Sequence, residues 1–68
     1  MVFCFTLVIK KKMTNVKGVN IMAGTCQKGI ENAREMMFLH QDAEWAMLLG
    51  DDGILQTWGS PVIRVNHQ

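Results

Sequence analysis

Cys4, Cys26, His40 and His67 are the residue types that hold zinc. Structural zinc sites use close ligand pairs, such as two cysteines with two residues between them. Here every gap is long. Cys4 also stands inside an apolar run, where cysteine behaves as a small hydrophobe. The spacing therefore predicts no metal, with Cys4 buried and unpaired. Asp51 and Asp52 are adjacent carboxylates that could bind a cation or exchange a proton. A calcium loop needs oxygen ligands at further alternating positions plus a bidentate acid, and these are missing. Turn chemistry already accounts for both aspartates. His40, Asp42 and Ser60 supply the residue types of a hydrolytic triad. Ser60, however, precedes Pro61 in a turn and has no G-x-S-x-G elbow around it. No glycine-rich phosphate loop is present either.

Lys10, Lys11 and Lys12, with Lys17 close behind, form a small basic patch. Phe3 and Phe5 are near it in sequence, and aromatic rings beside lysines can stack bases. The net charge of +1 weakens that reading, because nucleic-acid binders carry a basic excess.

The elements that must position these residues begin with Val2 to Ile9. The run is apolar on both faces and rich in β-branched and aromatic residues, as a central strand requires. It is far shorter than the roughly 20 residues of a membrane helix. Its positive charge follows the apolar stretch, the reverse of a secretory signal. A cytoplasmic protein with reduced thiols is expected. Met13-Thr14-Asn15 reads as a turn, and Val16 to Ala23 as a second strand with Val19 and Ile21 on one face.

Thr25 is placed to cap a helix over Cys26 to His40. Cys26, Ile30, Ala33 and Met37 fall on one stripe of that helix. Gly29 weakens it by about 1 kcal/mol relative to alanine. Met36 to Leu39 is an apolar block wider than one stripe, which predicts a last turn buried on more than one side.

Trp45-Ala46-Met47-Leu48-Leu49, a Gly-Asp-Asp-Gly cluster and Ile54-Leu55-Gln56-Thr57-Trp58 read as a β-hairpin. The turn falls at Asp52-Gly53 or over Gly50 to Gly53. Either way Trp45, Met47, Leu49, Ile54, Gln56 and Trp58 share one face, and that heavier face is the expected core. Ala46, Leu48, Leu55 and Thr57 take the other. Gly59-Ser60-Pro61 is a turn, and Val62 to Val65 a last strand. The order β-β-α-β-β-β predicts an α+β class: one domain over residues 1–68, a mixed or antiparallel sheet with one helix packed on it.

The hairpin string, with its apolar run, Asp52-Gly53 and Trp58-Gly59, resembles the blade hairpin of regulator-of-chromosome-condensation-type propeller repeats. A propeller needs several blades. The chain holds at most one such unit.

Sixty-eight residues are too few for a substrate cleft of usual size. A domain this small buries only about 60% of its unfolded surface. One helix covers one face of the sheet, so the other face of the first strand needs a partner. These features predict a small non-enzymatic protein-binding regulator without a cofactor, such as an inhibitor, immunity or accessory factor. Self-association or a protein partner is expected through Phe3, Phe5, Leu7 and Ile9 or through the alternate face carrying Cys4 and Val8. The alternatives are nucleic-acid contact at Lys10, Lys11, Lys12 and Lys17, or a subunit contributing to a larger enzyme site.

Overall fold

A computed structural model describes residues 1–59 of the chain. Strand β1 (Phe3–Lys11) and strand β2 (Lys17–Ala23) form a hairpin. Helix α1 (Cys26–Phe38) follows, and then a second hairpin of β3 (Ala43–Gly50) and β4 (Gly53–Gly59). The sheet order is β2-β1-β3-β4, with every neighbouring pair antiparallel. β2 and β3 therefore run parallel to each other on either side of β1, and α1 is the crossover that joins them. The expected α+β domain with one helix on an antiparallel sheet is what forms. The expected strand at Val62 to Val65 lies outside the described residues.

β1 is central because it is apolar on both faces, and it is flanked by β2 and β3. Its odd positions face the helix: Phe5, Leu7 and Ile9 are buried. They meet Ile21 and Ala23 of β2, Ala33 of α1, and Ala46 and Leu48 of β3 in one core. Leu7, Ile9 and Leu48 are the largest side chains buried completely, and each such burial contributes about 1.5–3 kcal/mol.

The helix starts where the capping rule places it. Thr25 is extended (φ −144°) and its hydroxyl accepts from the Lys28 N–H at 3.0 Å. That satisfies one first-turn donor. Gly29 is buried within the helix. Ala33 is buried and Ile30 and Met37 pack on the core, as the stripe predicts. Two expectations fail at the helix ends. Cys26 is exposed at the first position of the helix. Phe38 and Leu39 are 68% and 76% exposed, since only Met36 and Met37 of that apolar block turn towards the sheet.

The β3–β4 hairpin corrects a face assignment. Gly50 pairs with Gly53, so Asp51 and Asp52 form a two-residue turn, and Gly53 takes φ +124°. Leu49 pairs with Ile54, but Leu48 pairs with Gln56, which leaves Leu55 as an extra residue in a β-bulge. Beyond the bulge Trp58 stands opposite Ala46, not opposite Trp45. Ala46 and Leu48 are fully buried under the helix. Trp58 and Leu55 pack against the same core. Trp45, Met47 and Leu49 lie on the other face, half-buried by their strand neighbours. The heavier face is not the core face. Small residues at Gly29, Ala33 and Ala46 let helix and sheet approach closely, and that selects the lighter one.

Candidate functional site

The lysine end of the sheet is built by the β1–β2 connection. Met13 adopts φ +65° there, and the Thr14 N–H and hydroxyl both reach the Lys11 carbonyl, at 3.3 and 3.2 Å. The antiparallel return brings Lys17 back beside Ile9. β1 and β3 pair so that Lys11 lies opposite Ala43, and this draws in His40 from the link between α1 and β3. Its backbone is fixed on both sides: the His40 N–H donates to the Met37 carbonyl and the His40 carbonyl accepts from Ala43 N–H, both at 3.0 Å.

These pieces enclose a cleft of about 220 Å³ lined by Ile9, Lys11, Thr14, Asn15, Lys17 and His40. His40 Nδ1 is buried and has no hydrogen-bond partner among the described residues. The Lys11 ammonium makes an ion pair with Asp42 at 3.4 Å. Lys10 instead points along the open sheet face, opposite Trp45, and donates to the Lys11 carbonyl at 2.7 Å. Lys12 is exposed in the turn. The sequence patch is thus divided: Lys11 and Lys17 share a cleft, and Lys10 and Lys12 do not line it. Sequence alone misses His40 as their companion, because only the β1–β3 pairing joins them.

Neither phenylalanine near the patch can stack a base beside these lysines. Phe5 is buried under the helix. Phe3 pairs with Ala23 at the far end of β1.

At that far end a second cavity, about 140 Å³, is lined by residues that include Cys4, Cys26, Asp51 and Asp52. His40 lines the other cleft, so it does not share a pocket with Asp51 and Asp52. Cys4 is exposed, against the expectation that it is buried: it is an even residue of β1 and lies on the face away from the helix. Both cysteines are free thiols. Among the described residues no three His, Cys, Asp or Glu side chains come together as a metal would need. Ser60 and His67 lie outside the described residues. No helix among those described is long and apolar enough to cross a membrane.

The third feature is the sheet face opposite the helix. The strand register places Cys4, Thr6, Val8 and Lys10 on it, beside Met22 of β2 and Trp45, Met47 and Leu49 of β3. Ile54 of β4 joins them through its pairing with Leu49. Met22 and Ile54 are 63% and 51% exposed. Asn20 and Thr57 stand on the same face along the outer strands, both exposed. Phe5, Leu7 and Ile9, weighed above as interface residues, are internal core. Phe3 alone of that set is exposed, at 40%. The β1 face open to a partner is the even one.

Compared with known protein families, curated proteins and solved structures, the chain matches none. The propeller-like string of the second hairpin has no such match behind it. In the fold that hairpin belongs to a sheet whose strand order is interrupted by a helical crossover.

Proposed function

We propose that this chain is a small non-enzymatic protein-binding regulator that works through the open face of its sheet, with a second copy of itself as the partner. One observation carries the reading. The face opposite the helix combines Val8, Met22, Trp45, Met47, Leu49 and Ile54, with the polar residues Lys10, Asn20 and Thr57 around them. An apolar centre containing an aromatic residue and methionine, ringed by polar side chains, is the composition of a protein interface. A wet apolar face of this kind on a small domain marks an interaction site. Pairing with a second copy buries it symmetrically. It also crowds the edge strands β2 and β4, whose free backbone groups otherwise template aggregation.

The test is sedimentation velocity on the full chain over a range of concentrations, alongside Val8→Asp and Met47→Asp. Neither residue belongs to the core under the helix, so both variants are expected to keep the fold, read by circular dichroism. A dimer in the parent chain and folded monomers in both variants support the proposal. A folded monomer in the parent chain at every concentration overturns it.

A further inference from the structure

We propose that the cleft between the β1–β2 turn and the link after α1 is a binding site for a phosphate group, free or carried on a small phosphomonoester. Three observations converge there. Lys11 and Lys17 both line one cleft. His40 lines the same cleft, its backbone held by hydrogen bonds to Met37 and Ala43. Asn15 and Thr14 line the same cleft with an amide and a hydroxyl.

Size narrows the ligand. The cleft holds about 220 Å³, below the roughly 300–1,000 Å³ of sites for larger organic ligands. A phosphate headgroup fits that limit. The charge pattern selects an anion, and lysine binds phosphate as a point charge without needing a fixed fork. Lys17 has no ion pair among the described residues. Lys11 has one, but its partner Asp42 is 70% exposed. Exposed pairs are weak, so a phosphate oxygen can displace that carboxylate. The helix end contributes opposing partial negative charge. Its carbonyls at Met36 and Met37 already accept from Leu39 and His40 N–H, and two full positive charges outweigh what remains.

The site is independent of the sheet-face reading, since none of its lining residues is on that face. The experiment is a titration of the full chain with sodium phosphate at constant ionic strength, followed by amide nuclear magnetic resonance. Parallel titrations use glycerol phosphate, sodium chloride and a short single-stranded oligonucleotide. Saturable shifts at Thr14, Asn15 and His40 with phosphate are expected. Glycerol phosphate binding more tightly assigns the group to a phosphomonoester, and weaker binding assigns it to the free ion. Lys17→Gln, an exposed substitution outside the core, should weaken binding about tenfold or more. Asp42→Asn should tighten it by removing the competing carboxylate. Shifts that chloride reproduces, binding that survives Lys17→Gln unchanged, or oligonucleotide binding without phosphate binding each overturn the proposal.

Discussion

Gly29 of the helix lies flat against the ring of Phe5 in β1: a Cβ on Gly29 would stand 2.5 Å from Phe5 Cε2, with two more ring atoms inside 3.0 Å. Glycine is therefore required here for space, not for backbone freedom. It sets how closely α1 can approach the sheet, and with it which hairpin face becomes core.

Gly29→Ala tests that contact. Alanine gains about 1 kcal/mol of helix propensity. Overpacking a tight core costs about 1–3 kcal/mol, and the Phe5 ring is buried and cannot swing clear. The net expectation is a loss of about 1 kcal/mol by urea denaturation. Phe5→Leu should relieve the clash, so Gly29→Ala should be better tolerated in that background than in the parent chain. Equal effects in both backgrounds would show that the contact does not limit the approach.

Met13 takes φ +65° in the turn after β1, with its side chain 92% exposed. A side chain in the left-handed region costs roughly 1–2 kcal/mol, and no contact compensates for it. Met13→Gly should therefore raise stability, by up to about 1 kcal/mol once the added freedom of the unfolded chain is set against it. A lower midpoint in chemical denaturation would contradict this backbone geometry.

Thr25 illustrates what was legible in the sequence. A hydroxyl residue before an amphipathic period is a local signal, and the cap forms as read. The two-faced apolar run of β1 is equally direct: only a central strand buries such a pattern. The core face was not legible, because the bulge at Leu55 is one residue wide. Nothing in Ile54-Leu55-Gln56 announces it, and a one-residue slip moves every following side chain to the other face. The lysine cleft was half legible. Lys11 and Lys17 return to one another through a hairpin, but His40 arrives by tertiary pairing.

Thr25→Ala removes the acceptor for the Lys28 N–H. The expected loss is about 1 kcal/mol. Thr25→Asn should match or exceed the parent chain, because asparagine offers the same acceptor and is the stronger cap. Thermal melts should place the asparagine variant at or above the parent and the alanine variant below both. An alanine variant as stable as the parent would mean that the first turn is not held by this bond.

Deletion of Leu55 tests the bulge itself, in a Trp45→Phe background so that Trp58 is the only emitter. In the bulged hairpin Gln56 already pairs with Leu48 and Trp58 with Ala46. Removing Leu55 closes the ladder and leaves those pairings in place. Trp58 stays on the helix side, and its emission should not move. The chain should lose about 1–2 kcal/mol, because Leu55 packs against the core as a half-buried side chain. Deletion of Thr57 has the opposite effect on geometry. It places Trp58 opposite Met47, on the open face, where emission should shift to longer wavelength at concentrations that keep the chain monomeric. In a hairpin without the bulge, Trp58 would face residue 45, and loss of Leu55 would carry it across the sheet. A wavelength shift on deletion of Leu55 would therefore exclude the bulged register and return Trp45 and Trp58 to a common face.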